Sequence, residues 1–414
     1  VSAVASAQPA PAPAGDPPPT EPPAPQPPEP APPQPPAPTP QPPAPTPPPK
    51  PEEDLLANMK HDDAGAKADP TFGHVLQIFG VETTWSGYGD SVFTIVPKKR
   101  ESTFDAIQFN PIISARMTDT ISAEMEIEIE HGGEEIEIEY AMVDWTPLKS
   151  RALVVRTGKF QIPLGKFNEQ FHPSFRWAQV TRPLMFEEVL PVGLSDVGIQ
   201  LRGLVGNDVQ LEYQAWCVNG FAEKEEVAGA PAESDEEGGF ARSIRGGFTD
   251  NNFDKTFGAR VGVNVKPADG IGGGIAVSGQ SGKIDPAGNE RLSYLVVDGS
   301  LLFGSLALNV EAVQSLFGVK GHYFDQFEQG AYAQLAYTIR RWTLAGRWDY
   351  AKQHEVVEGI EITDTETVST QRIAASVRFS PARQWSVRLE AAVPYLPKGA
   401  VDETALSAMI AFVF

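Results

Sequence analysis

The chain has 414 residues and a formal net charge of -21, a balance that argues against nucleic acid as a partner. Its one cysteine, Cys217, excludes an intrachain disulfide framework. It contains no run of 18 apolar residues, so no transmembrane helix is expected.

Residues 1–51 hold 25 of the 39 prolines in the chain, with Ala, Gln, Thr and a few Glu between them. Such a segment has too little bulky apolar surface to build a core and reads as extended polyproline II or disorder. Ala5-Ser6-Ala7 fits the small-residue pattern of a secretory cleavage site, so residues 1–7 could be the remnant of a signal peptide. Residues 52–70 read as an acidic linker with a short helix over Glu52–Met59.

From residue 71 to Phe414 the pattern changes to runs of period two with few prolines. Sixteen are expected, at 72–81, 104–116, 120–130, 134–146, 151–160, 196–204, 207–219, 254–266, 271–279, 291–299, 302–313, 328–339, 342–351, 370–379, 384–392 and 404–414. Most match the ~9–11 residues that a lipid-spanning strand needs. The connections between them alternate in length. One set is short, centred on Met117-Thr118-Asp119, Pro147–Ser150, Gly206-Asn207, Ala268–Gly270, Gly299-Ser300, Arg340-Arg341 and Ser380–Arg383. The other set is mostly long, with His131-Gly132-Gly133 as its exception. Short turns at one end and long loops at the other characterise bacterial transmembrane barrels. The fold class expected is therefore all-β, a 16-stranded antiparallel transmembrane β-barrel with a disordered proline-rich N-terminal extension. The last strand ends on the aromatic Phe414, and Tyr337, Trp342, Tyr350, Phe379, Trp385 and Phe412 suit girdle positions at lipid interfaces.

Charge alternation nominates the channel lining. Glu124, Glu126, Glu128 and Glu130 alternate with Met125, Ile127 and Ile129, and Glu135, Glu137 and Glu139 with Ile136 and Ile138. A carboxylate in hydrocarbon is costly, so these glutamates should face water and the isoleucines lipid. Arg341, Arg347, Arg372, Arg378 and Arg388 alternate with apolar residues on later strands, giving a basic wall across the ring from the acidic one. Such a transverse field would tune permeation, or the arginines could sit in local ion pairs that merely hold the inner surface. The long segment 161–195 is aromatic, cationic and apolar, as expected of a loop folded into the barrel. Lys159, Lys166, Arg176 and Arg182 would then line the constriction, or the loop could pack across the mouth or against a second subunit.

The run Gly158-Lys159-Phe160-Gln161-Ile162-Pro163-Leu164-Gly165, with Arg182-Pro183 and Leu194-Ser195-Asp196-Val197-Gly198-Ile199-Gln200, resembles the phosphate-selective porin family. The resemblance implies a sixteen-stranded trimeric porin over roughly residues 71–414. The specialised phosphate channels carry a ladder of lumen cations, which Lys159, Lys166, Arg176 and Arg182 would supply in part; the seven-glutamate hairpin departs from it. A general or substrate-unassigned member is the resulting expectation.

The functional expectation is an outer-membrane porin for passive diffusion of ions and small hydrophilic solutes. Its surroundings would be membrane lipid and lipopolysaccharide, its assembly a homotrimer, and its tail periplasmic, with a possible cell-wall or periplasmic partner. The alternative is a structural anchor for that tail. No Gly-x-Ser-x-Gly elbow and no closely spaced metal-ligand set stand out, so no enzyme, cofactor or metal is expected.

Overall fold

The computed structural model describes residues 74–78, 81–171, 173–191, 193–223, 244–246, 250, 252–319, 326–354, 367–395 and 404–414. The expectations for the proline-rich segment and the acidic linker lie outside these residues.

Strand-forming sequence runs through the described chain in hairpins. The first group is β1 (His74–Ile78), β2 (Val81–Val96), β3 (Glu101–Asp105), β4 (Phe109–Arg116), β5 (Ile121–Glu130), β6 (Glu135–Trp145) and β7 (Val154–Gln161). After a long connection come β8 (Ser195–Gly206), β9 (Val209–Val218), the small pair β10 (Phe221–Glu223) and β11 (Ile244–Gly246), and β12 (Thr256–Ala268). The series finishes with β13 (Ile271–Lys283), β14 (Glu290–Phe303), β15 (Leu306–Val319), β16 (Gln326–Ile339), β17 (Trp342–His354), β18 (Thr367–Ala382), β19 (Trp385–Tyr395) and β20 (Ala405–Val413).

The pairings are antiparallel and run between chain neighbours, except that β4 pairs with β2 past β3 and β9 pairs with β12 across the β10–β11 excursion. The ring closes where β2 meets β20, from Tyr88↔Val413 to Ile95↔Leu406. Sixteen strands, β2, β4–β9 and β12–β20, thus form a closed antiparallel β-barrel, while β1 and β3 extend the two sides of β2. Closure gives every strand two hydrogen-bonded neighbours, the condition for crossing hydrocarbon with strands. Among the described residues no helix is long and apolar enough to cross a membrane.

The period-two pattern sorts the two faces. Along β17, Trp342, Leu344 and Trp348 are exposed, while Ala345, Arg347, Asp349 and Ala351 are buried. The exposed face continues through Val261, Ile275, Val277, Leu295, Val297, Ile373, Leu389 and Ile410, an apolar outer belt. The inner face collects the polar partners Ser278, Asp298, Glu311, Arg347, Arg388 and Glu390.

Three expectations need correction. The first barrel strand is β2 at Val81–Val96, not 72–81. Thr83–Ser91 contains Gly87 and Gly89 and reads like a loop, but both glycines lie beneath rings from the last strand. A Cβ on Gly87 would come 2.5 Å from Phe414 Cζ, and one on Gly89 2.8 Å from Phe412 Cζ. Phe109 of β4 stacks on Phe414 at 5.5 Å, so the closing seam is covered by aromatic rings on its outer face. Second, β14 runs unbroken through Gly299-Ser300, and the turn falls at Gly304-Ser305. Third, many strands are longer than expected, reaching 16 residues in β2 and β18.

Candidate functional site

The segment 162–194 leaves β7 and returns to β8, and between them it crosses the inside of the ring. It holds short helical turns at Phe167–Phe171 and Ser174–Arg176 and the five-residue helix α1 (Leu184–Glu188). Its apolar side chains Leu164, Phe167, Trp177, Leu184, Met185 and Phe186 pack with inward residues of the wall, among them Val296, Val313 and Tyr332. Gly330 on β16 permits this approach, since a Cβ there would lie 2.5 Å from Met185 Cβ. The hydrophobic core of the molecule therefore sits inside the barrel, between the loop and the wall.

Polar groups of the wall fix the loop backbone. Glu311 Oε1 accepts the amides of Lys166 at 2.8 Å and Phe167 at 2.6 Å. Glu390 accepts the amides of Val180 and Thr181 and the Thr181 hydroxyl, at 2.7, 3.2 and 2.5 Å. Arginines supply the complementary donors. Arg388 donates to the carbonyls of Ser174 and Phe175 at 2.7 and 2.9 Å, and Arg378 to that of Trp177 at 3.3 Å. Arg347 donates to the carbonyls of Thr181 and Arg182, both at 2.8 Å. Arg372 donates to the Arg182 carbonyl and pairs with Glu187 at 2.9 Å and Asp349 at 3.1 Å. A loop of this kind would otherwise bury unpaired carbonyls and amides, each costing of order 1–3 kcal/mol.

The basic wall expected from sequence is thus a cradle. Arg347 and Arg388 are 3% and 0% exposed, so neither offers its charge to open water. On that side the guanidinium groups are hydrogen-bonded to the loop's carbonyls, and Arg347 and Arg372 are in addition paired with Asp349 and Glu187. Arg341 is not part of the wall: it lies exposed in the tight turn between β16 and β17. Lys159 is also displaced from its expected place. It lies opposite Ala141, on the same strand face as the pair Thr157↔Val143, whose valine is exposed outward. Its ammonium donates to the Ile138 carbonyl at 2.6 Å. Lys166 does turn inward and donates to Ser300 Oγ at 2.9 Å. Arg176 donates to the Gln170 carbonyl, and Arg182 reaches Glu130 at 3.4 Å while lying over the Trp177 ring.

The acidic hairpin gathers as a cluster, made possible by a bulge. The β5–β6 register shifts after Glu126, so that Glu126 faces Tyr140 while Ile127 faces Ile138, leaving Glu139 as the extra residue. Glu137 and Tyr140 can therefore both turn inward although they differ in parity. Glu126 accepts from Tyr88 at 2.6 Å and Asn110 at 2.7 Å. Glu128 accepts from Gln108 at 2.9 Å, Glu124 from Ser114 at 2.7 Å, and Glu139 from Gln161 at 3.1 Å. Glu126, Glu128 and Glu139 are buried, whereas Glu135 and Glu137 are exposed. Carboxylate oxygens of Glu128, Glu137 and Glu139 lie within 4.8 Å of one another.

Further ion pairs line the wall between these two regions and were not singled out from sequence. Arg260 pairs with Asp298 at 2.5 Å and with Glu212 at 2.8 Å. Arg156 makes a two-pronged contact with Asp144 at 2.7 and 2.8 Å, and Arg202 meets Glu169 of the loop at 3.0 Å. The available signal was a single charge at an inward position of an otherwise apolar strand, as in Ala259-Arg260-Val261.

No protein-family model matches this chain, and no curated protein matches it. Solved structures do. The anion-selective porin from Comamonas acidovorans is 10% identical, with a TM-score of 0.54 over 81% of this chain and 100% of that one. OmpF of Salmonella typhi is 10% identical, with a TM-score of 0.52 over 82% and 100%. OmpT of Vibrio cholerae, in its trimer form, is 10% identical, with a TM-score of 0.51 over 80% and 99%. At such low identity the shared property is architecture, and the fold is that of the outer-membrane porin barrels.

Proposed function

We propose that this protein is an outer-membrane channel for passive diffusion of ions and small hydrophilic solutes. One observation carries the reading: a closed ring, apolar outside and polar inside, holds a long loop fixed across its lumen. A soluble barrel has no use for the outer belt of exposed Val, Ile, Leu and Trp. The reading is of a channel and not an enzyme, because the charged inner residues serve as anchors of the loop and as wall ion pairs. Association as a homotrimer, contact with lipid and lipopolysaccharide, and a periplasmic position of the proline-rich tail belong to the same proposal. A phosphate preference is its narrower form; the cradle arginines are spent on loop carbonyls, so that preference would rest on Lys166, Arg176 and Arg182.

Planar-bilayer recording on the purified full chain tests the reading. Stepwise conductance in potassium chloride supports it. A second reading, a membrane anchor for the N-terminal tail, draws on the depth of loop packing, which buries inward residues such as Gln200, Ala374, Arg388 and Met409. Absence of any conductance from correctly folded protein would replace the first reading with the second.

A further inference from the structure

The outer belt changes character on strands β14–β17, at the end where the long loops leave. Gln314 lies opposite Gln329, and Gln329 opposite Lys352, one row across three adjacent strands. By period two these residues share the outward face with Val310, Leu335 and Trp348. Leu295 is the β14 member of the same row, and four residues beyond it that face ends in the exposed Arg291.

Strand length gives the depth of this patch. Trp342 stands at the short turn before β17, and Lys352 lies ten residues further along the strand. At ~3.3 Å per residue and a tilt of about 40°, that is roughly 25 Å along the membrane normal, the height of the apolar band of a transmembrane barrel. Trp348 and Tyr350, stacked at 6.3 Å, form an aromatic girdle just short of Lys352. The polar row therefore stands at headgroup level on the long-loop side, which is the outer leaflet in barrels of this architecture.

Its charge is one-sided. The chain carries 54 acids against 33 Lys and Arg. Yet among the described residues of β13–β18 no acid shares the outward face; Asp298, Glu311, Glu328 and Asp349 all lie buried on the inner one. Arg291 gives one donor to Ser281 Oγ at 2.9 Å, and Lys352 lies over the Phe327 ring at 5.0 Å. Neither has a carboxylate partner among the described residues. Lys283, opposite Arg291, is by contrast paired with Asp254 at 2.9 Å. The outward residues of β12, β19 and β20 are apolar or aromatic along their length, so the patch is local.

Cations and amides at this depth, without acids, match a headgroup that carries phosphate and hydroxyl together. We infer that the patch docks a phosphorylated glycolipid of the outer leaflet, with Lys352 and Arg291 on its phosphates and Gln314 and Gln329 on its sugar hydroxyls. Three strands and four residues of stagger place the two cations roughly 20 Å apart at their Cα atoms. Their long side chains close on a disaccharide phosphorylated at both ends. A zwitterionic phospholipid would bring an ammonium with no acid to meet it. A glycerol phospholipid would leave one cation and the amides unmatched. The inference rests on the membrane-barrel reading and adds the partner on its outer face.

Native mass spectrometry of the detergent-solubilised full chain tests it, with bisphosphorylated lipid A, dephosphorylated lipid A and phosphatidylglycerol as probes. The variants are Lys352→Gln, Arg291→Gln, the two combined, and Arg341→Gln at the opposite end of the barrel. Folding of each is checked by its heat-dependent gel mobility. Saturable retention of bisphosphorylated lipid A is expected, about fivefold weaker for each patch charge removed and unchanged in Arg341→Gln. The inference is overturned if dephosphorylated lipid A or phosphatidylglycerol binds as tightly, if the folded double variant binds like the parent, or if Arg341→Gln loses as much. A double variant that loses subunit association but keeps lipid A also overturns it, and assigns the face to a second copy of this chain. Bilayer currents separate the two claims. A chain that conducts potassium chloride but retains no lipid A keeps the channel and loses the docking site. One that retains lipid A with this selectivity and never conducts keeps the docking site and loses the channel.

Discussion

Glu390→Ala removes the acceptor that holds the middle of the lumen loop. The carboxylate takes two amides and one hydroxyl from Val180 and Thr181, and it is 5% exposed. Truncating one side of a buried, charge-assisted contact of this kind costs about 3–5 kcal/mol, much of it from donors left without partners. The docked and lifted states of residues 178–182 would then shift by roughly 10²–10⁴ in their ratio. The neighbouring arginine anchors still hold Ser174, Phe175 and Trp177, so the lifting should be local. Hydrogen exchange read by mass spectrometry should show lost protection at the Val180 and Thr181 amides, and bilayer recordings should show larger or noisier unitary currents. Glu390→Gln retains one acceptor oxygen and should fall between. Unchanged exchange at both amides in a folded Glu390→Ala barrel would refute the anchoring argument, because no other wall acceptor is bonded to those groups among the described residues.

Four further outcomes follow from the same geometry. Glu135→Gln with Glu137→Gln should shift the reversal potential in a salt gradient toward anions, whereas Glu126→Gln should alter it far less, since that carboxylate is buried on Tyr88 and Asn110. Arg341→Ala, at an exposed turn, should leave selectivity unchanged and stability within about 0.5 kcal/mol, as measured by urea unfolding in detergent. Gly330→Val should lower the midpoint of that unfolding, because its side chain enters the space of Met185. Gly87→Leu should weaken the β2–β20 seam by displacing Phe414, reducing the heat-resistant folded band on a gel.

The strand pattern was legible because hydrocarbon outside and polar groups inside impose alternation directly on the residues. Trp342, Leu344 and Trp348 against Arg347 and Asp349 declare their faces before any neighbour is known. The first strand was not legible, because its glycines answer to Phe412 and Phe414 more than 300 residues away, and locally they look like a turn. The bulge at Glu139 left a readable trace. Acidic residues hold odd positions through Glu139, then the inward polar residue becomes Asp144, and such a change of phase requires an extra residue in the strand. The site divides along the same line. Alternation correctly sends Arg347, Arg372, Arg378 and Arg388 inward, but it cannot tell whether an inward cation meets water or a carbonyl. That depends on where a loop from the opposite side of the ring comes to rest. A buried guanidinium demands acceptors, and a loop drawn into a barrel demands donors for its carbonyls; each resolves the cost of the other. Read this way, a ladder of arginines beside a long aromatic loop in a barrel sequence signals an anchored constriction before it signals an anion path, and charge selectivity falls to the few side chains that the loop leaves uncovered.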